Sequence, residues 1–493
     1  MKDCHIHMNS MVYQSAIVLL AGLLPSFGAL TVDSTVSHNC VFLQNAMNVV
    51  KGTTTAGRTV TVSFKGQQAS TAADASGAFA VKFNPGAAES TPQTVTVSDG
   101  VDSQTVANVL VGEVWYLSGQ SNIEFTMDYK EYAGRYNEWM KDVNYPNIRM
   151  MTAPAEATKP LEWKVCNAAN VPKMSATGFF FGKKLHQAKK VPVGIVVAAL
   201  GNTVISQWMS AEAIAAARAA DPSIPDNAYA FYPSKCDTER AKRLDHVATR
   251  AALWYQGEGD SEYGEIFMLY EPNLRALISD WRTRRGYPDF PVVIVGLPRC
   301  AVARNIGEEK CLASVRLAQE RVAASTPHVV CVPTIDLGYN ALKGDAMSWH
   351  PDDKPELCYR LLLAARNAVY GESSVRYRCP YPTSATFNAD KTKVIVTFPN
   401  SVSLHWKSGT KPSVVEGRES FRIRCAWSGK NYLIPDIGSN GYTLEFPAKV
   451  RTYASIVDYC SAKSENPDIQ LFDSYGFPVP PFAIDVTQKG AAK

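Results

Sequence analysis

Three observations predict an α/β protein: a doubly wound, mostly parallel sheet flanked by helices, with an antiparallel β region at its N-terminal side and another at its C-terminal side. Between about residues 111 and 372 the apolar runs VPVGIVVAAL, ATRAALWYQG, FPVVIVGLP and HVVCVPTIDLG alternate with segments whose apolar positions recur at helical spacing. Strand and helix in alternation imply parallel strands covered on both faces, with ligand sites at the carboxyl ends of the strands. Before and after that stretch, short apolar–polar alternation appears between turn residues, the pattern of half-buried antiparallel strands.

In chain order, residues 1–30 read as an export signal. Lys2 and two histidines precede SAIVLLAGLLPSFGA, residues 15–29, an apolar run that ends in small residues and is short for a bilayer span. The expected location is therefore secreted, or lumenal in the secretory or lysosomal pathway, with no integral membrane span after signal removal. From 31 to 110, TVTVSF, GAFAVKF and QTVTVSDG alternate between small-residue turns and predict a β-sandwich-like module. From 111 to 372, LVGEVWYLSG opens the α/β domain. The helices expected between its strands are FFFGKKLHQAKK, AEAIAAARAA, YEPNLRALISDWRTRR and SVRLAQERVAAS, and KPELCYRLLLAARNAVY follows the last of them. From 373 to 493, KVIVTFP, GYTLEF and ASIVDYC give the second β region.

At 493 residues and 46% hydrophobic content the chain can bury large cores. Fifty basic against 46 acidic residues leave a net charge of +4, dispersed along the chain, and exclude a nucleic-acid footprint. Of eleven cysteines, Cys4 precedes the apolar run; the ten that remain suit disulfides in an oxidising compartment, although a residue such as Cys331 equally suits a buried thiol. No C-x-x-C or H-E-x-x-H spacing occurs, so neither a metal nor another cofactor is expected.

The candidate chemistry gathers at strand ends. The strand LVGEVWYLSG runs into Gln120-Ser121-Asn122, which places Ser121 just past a carboxyl end, where a nucleophile is useful; a serine there is otherwise a helix cap. VPVGIVVAAL ends in Gly201-Asn202-Thr203, whose backbone N–H groups suit an oxyanion. ATRAALWYQG ends in the polar cluster Gln256-Gly257-Glu258-Gly259-Asp260. His350 lies in a loop just before the helix that starts at Lys354, a support from which an imidazole can reach a serine.

These segments together resemble the sialate O-acetylesterases, the SASA branch of the SGNH hydrolases. VGEVWYLSGQSNIEF is similar to that family's nucleophile block, LGNTVISQW to its second block, LWYQGEGD to its third, VRLAQ to its R-x-A-Q helix and WHPDDKPELCYRL to its histidine block. The resemblance implies an SGNH-type fold and removal of O-acetyl groups from carbohydrate, sialic acids first and acetylated xylan or another small ester as alternatives. It implies Ser121 as nucleophile, His350 as general base, and an oxyanion hole from Ser121, Gly201 and Asn202. Gln120, Asn122, Gln207, Trp208, Gln256, Asp260, Arg316 and Gln319 are expected to line or brace the substrate pocket, with Trp208 offered as a stacking platform.

Two positions depart from the family pattern. Asp260 stands where the family usually has Asn, and an ionised carboxylate there would repel an oxyanion; Ser348 stands where the family usually has the aspartate that orients the histidine. That role is therefore open between Asp345, Glu258 and a backbone carbonyl. The departures also leave open a glycan-binding protein without turnover. The oligomeric state is unknown from sequence.

Overall fold

The protein is described from a computed structural model. It covers residues 28–487, except 223, 225–228, 230–231, 263–265, 299–307, 339–347, 408, 410, 412–420, 426–428, 433, 448–453 and 460–470. Most of the expected export signal and the candidate Asp345 lie outside the described residues. Leu30, the last residue of that expected signal, is buried in the core and accepts a hydrogen bond from Gln104 at 2.6 Å.

The chain forms a mixed α/β fold. Its spine is the strand Ser103–Gly119, buried at every position from Val109 onward because its neighbours pair with it along both edges. Its first half pairs antiparallel with Glu89–Ser98 and parallel with Val41–Leu43; its second half pairs parallel with Val193–Ala199 and Ala251–Tyr255. The sheet continues in parallel through Val292–Val295 to Val329–Val332 on one side and through Tyr145–Thr152 on the other, where Trp163–Cys166 adds an antiparallel edge. The central strands read as continuous apolar runs because both faces of a parallel sheet are covered.

Helix packing follows from the small residues on the helix faces. Ala176–Lys189, N-capped by Ser175, lies against Lys354–Ala364 and the strands Tyr145–Thr152 and Val193–Ala199; Gly178 and Gly182 let it approach Ile195. Tyr270–Arg285 packs against Ala211–Ala220 and Glu308–Ser325. No helix among the described residues is long and apolar enough to cross a membrane.

The N-terminal antiparallel strands share one hydrophobic core with the parallel sheet, and the 110/111 boundary expected from the sequence falls inside a single strand. The C-terminal residues form a separate core around Phe421, Phe446 and Tyr459, beneath a sheet that is antiparallel apart from the pairing of Ser384–Phe387 with Phe482–Thr487.

Six of the ten cysteines expected to suit disulfides are free thiols. Cys40, Cys166, Cys236, Cys331, Cys358 and Cys379 are buried and free, Cys311 is buried, and the side chains of the other four are not among those described. Burial pushes the thiols of Cys40, Cys166, Cys236 and Cys358 up to about 12, which makes them poor nucleophiles and packing groups instead.

Candidate active site

The register puts three strand ends at one level: Gly119 lies opposite both Ala199 and Tyr255. Gly119 is required there. Its φ is +142°, and a side-chain carbon would lie 2.0 Å from the Tyr255 carbonyl oxygen. After this tight passage the chain enters the short turn Ser121–Glu124, in which Ser121 is 5% exposed.

Ser121 Oγ lies 2.8 Å from His350 Nε2, and His350 Nδ1 lies 2.7 Å from Glu131 Oε2. An ionised carboxylate only accepts, so Nδ1 carries the proton and Nε2 is left to accept from the serine hydroxyl. The Phe125 ring covers the imidazole at 4.5 Å between centroids and is itself stacked on Tyr129 at 3.6 Å. Glu131 sits in the short turn Lys130–Tyr132, anchored by the buried Tyr132, which packs against Trp139. The sequence reading missed Glu131. It lies ten residues after the serine in a polar stretch, and the one available signal was the aromatic spacing of Tyr129 and Tyr132 that pins the turn.

Glu258, the alternative acid among the described residues, does not meet the imidazole. Glu258 is buried and accepts from Asn122 at 2.7 Å, and burial pushes its carboxyl up to about 7 despite the Asn122 hydrogen bond and the nearby Lys354. Ser348 is fully buried, and its hydroxyl accepts from the His350 backbone N–H at 3.2 Å, fixing the loop but not the ring.

Asn122 ties the two halves of the site together. Its side-chain oxygen accepts from Lys354 Nζ at 2.7 Å, while its nitrogen donates to Glu258 and, at 2.8 Å, to the carbonyl of Trp349, the residue before the histidine. Lys354 is fully buried, with the rings of Tyr132 and Tyr255 5.4 and 5.7 Å from its nitrogen, and burial pushes it down to about 8. The lysine fixes which way the carboxamide faces, and so the spacing of Ser121 and His350. Replacing Lys354 with methionine is expected to lower kcat by about 10², the scale of a roughly 1 Å misplacement, with KM little changed. Steady-state kinetics alongside a thermal melt checks this, and an unaltered kcat in folded protein removes the positioning role.

The remaining candidates are mostly bracing groups. Gln256, fully buried, donates to Thr203 O at 2.9 Å and to Asp260 Oδ2 at 2.6 Å, and lies 3.3 Å from Gln120 Oε1, which also accepts from the Gly259 N–H. Asp260 is buried and accepts from the Ile205 N–H at 2.9 Å, a bracing contact within the protein. Trp208 is fully buried against Trp254 and donates to Thr203, which rules out a stacking platform. Gln207 accepts from the Val204 N–H. Gln319 bridges Leu297 N and Gln256 O, and Arg316 donates to the carbonyls of Leu297 and Pro298, far better suited to holding strand ends than sugar.

Gly201 adjoins the serine: a side-chain carbon on it would lie 3.5 Å from Ser121 Cβ. Its N–H, expected to face an oxyanion, donates at 2.7 Å to Glu124 Oε2. Asn202 is exposed with a left-handed φ of +56°.

Burial pushes the Asp260 carboxyl up to about 7, above its usual 3.8, against the hydrogen bonds from Gln256 and Ile205. The folded state therefore holds a proton that the unfolded state releases, and this contribution to stability is full below about pH 4 and lost as pH rises to about 7. Asp260→Asn is expected to flatten the fall in Tm across that window; thermal melts at several pH values check it, and an unchanged slope contradicts it.

The family model described as carbohydrate esterase, sialic acid-specific acetylesterase, matches residues 111–360. Human sialate O-acetylesterase is 25% identical over 429 residues, covering 78% of this chain and 77% of that protein, and the Rattus norvegicus sialate O-acetylesterase is 24% identical over 378 residues, covering 65% and 66%. A carbohydrate acetylesterase from Xanthomonas citri superposes with a TM-score of 0.79 at 25% identity, covering 93% of this chain and 100% of that one. The chain is an ester hydrolase and belongs to the carbohydrate esterase family of sialic acid-specific acetylesterases.

Proposed function

We propose that the protein is a serine esterase that removes O-acetyl groups from carbohydrate, foremost from sialic acids, with Ser121 as nucleophile, His350 as general base and Glu131 as the orienting acid. The observation that carries the reading is the unbroken hydrogen-bond chain of 2.8 and 2.7 Å from Ser121 through His350 to Glu131. Ser121 Oγ attacks the acetyl carbonyl carbon while its proton passes to His350 Nε2, and Glu131 stabilises the imidazolium. Collapse breaks the ester bond, and the sugar oxygen leaves with that proton. Water, deprotonated by the same imidazole, then hydrolyses the acetyl-enzyme and releases acetate. Backbone N–H groups at Ser121, Gly201 and Asn202 receive the oxyanion; for Gly201, the Glu124 carboxylate yields its hydrogen bond to the substrate oxygen.

We assign the parallel sheet to an SGNH-type, doubly wound arrangement, residues 111–372 to the esterase unit, and the two β regions to support of it. Export is the location we propose, on the strength of the apolar run at residues 15–29. The deciding experiment is acetate release from O-acetylated sialic acid and from acetylated xylan, with acyl esters of increasing chain length alongside. Release from the sialic acid, with a steep fall beyond acetyl, is expected. Ligand retention without release from any ester would instead make the chain a glycan-binding relative without turnover.

A further inference from the structure

A cleft of about 630 Å³ separates the N-terminal β strands from the α/β part of the chain, and it is distinct from the serine site. It is lined by the segment 245–250, which leads into the strand Ala251–Tyr255, by Arg284 and Arg285 at the end of the helix Tyr270–Arg285, and by Gly286, Tyr287 and Phe290 beyond it. These are the amino ends of the strands, whereas Ser121 follows a carboxyl end. The five residues Ala251–Tyr255 alone span roughly 15 Å between the two levels at about 3.3 Å per residue.

The facing wall is the outer side of the antiparallel pair Asn48–Thr53 and Ala78–Phe83, from which Lys51 and Lys82 project into solvent at the cleft. The balance of charge there is uneven. Arg250 is neutralised by Glu113, and Arg284 by Asp237, Asp245 and Asp280, which also accounts for the acidic group in the lining. Lys51 and Lys82 form no ion pair among the described residues. The Arg285 guanidinium lies between the rings of Tyr116 and Phe290 at 4.8 and 5.0 Å, and its Nε and Nη2 find no hydrogen-bond partner among the described residues. Arg285 also donates through Nη1 to Val247 O and Thr249 Oγ1 and has Asp245 near it as a counter-charge, so Lys51 and Lys82 are the two cations that face the cleft without an ion pair among the described residues. A poorly solvated guanidinium at the floor strengthens the attraction for an anion, since the local dielectric is low. The mouth carries Met47 and Tyr287, 56% and 44% exposed, apolar surface of the kind that a sugar ring covers.

We propose that this cleft is a second, non-catalytic binding site for a carboxylate-bearing oligosaccharide. Its volume lies in the range of specific ligand sites, roughly 300–1,000 Å³. The class of ligand rests on the carbohydrate-esterase reading, and the sign of its charge on Lys51 and Lys82. Holding one part of an acidic glycan here raises the effective concentration of its acetylated residues at Ser121 without any new contact at the reacting centre.

The test is calorimetric titration of the full chain carrying Ser121→Ala with a de-O-acetylated sialic acid tetramer, and separately with a xylose tetramer. Binding of the acidic tetramer is expected, weakened by about tenfold or more when Lys51→Glu and Lys82→Glu are added, since attraction becomes like-charge repulsion; the neutral tetramer is expected not to bind. With Ser121 intact, the two charge reversals are expected to leave hydrolysis of a small acetyl ester unchanged, which reports a correctly folded site. Absence of acidic binding, equal binding after charge reversal, or equal binding of the neutral tetramer overturns the proposal. No turnover enters the binding assay, so its failure leaves the esterase proposal standing.

Discussion

Ser121→Ala is expected to lower kcat by a factor on the order of 10⁶, the loss seen when a serine hydrolase is deprived of its nucleophile. The expectation rests on geometry: just past the strand Ser103–Gly119, the Ser121 hydroxyl lies 2.8 Å from His350 Nε2. Alanine removes that oxygen and adds nothing to a turn that Gly119 and the Gln120 N–H, bonded at 3.2 Å to Tyr255 O, hold in place. Thermal stability is therefore expected to stay close to that of the parent. Acetate release measured at equal concentrations of folded protein checks both halves, and residual activity within tenfold of the parent contradicts the role.

Glu131→Gln is expected to lower kcat by about 10⁴, by the mechanism that makes the orienting acid matter in any Ser-His-acid array. Glutamine retains the size and turn position but replaces an ionised acceptor with an amide. When its nitrogen faces His350 Nδ1, the ring carries its proton on Nε2, where it can no longer accept from Ser121; when its oxygen does, the imidazolium loses its counter-charge. KM is expected to move little, because Glu131 lies behind the ring rather than beside the substrate. A double variant with Ser121→Ala distinguishes this from damage elsewhere: residues that act as one unit are non-additive, so Glu131→Gln should cost almost nothing further in that background. An additive loss would place Glu131 outside the unit.

The central strands were legible because burial on both faces leaves them apolar throughout, as in Val193–Ala199 and Val292–Val295. The strand Tyr145–Thr152 was not, since Pro146 and Arg149 interrupt its pattern; Arg149 is nonetheless buried, donating to Pro146 O and the side chains of Asn39 and Asn108. Ser121 and His350 could be read from strand end and loop, and the structure brings them together. Their acid could not, because a three-residue turn carries no periodicity and its partner is 219 residues away. The polar residues at the strand ends were expected to line or brace the pocket, and Gln256, Asp260 and Gln319 brace it, since each satisfies another strand end's backbone groups. Trp208 suggested a sugar platform for want of any sign that Trp254 would cover it.

The measurement that bears most directly on Ser121 as an activated nucleophile is labelling of the full chain with a fluorophosphonate, followed by mass spectrometry of the modified peptide. The reagent bonds to an activated serine oxygen and loses fluoride, so it reports the Ser121–His350–Glu131 array without assuming any sugar. The expected result is one adduct per chain, on Ser121, forming at least about a hundredfold more slowly in Glu131→Gln. No adduct in folded protein, or an adduct on another serine, would contradict the assignment of this site as the catalytic centre.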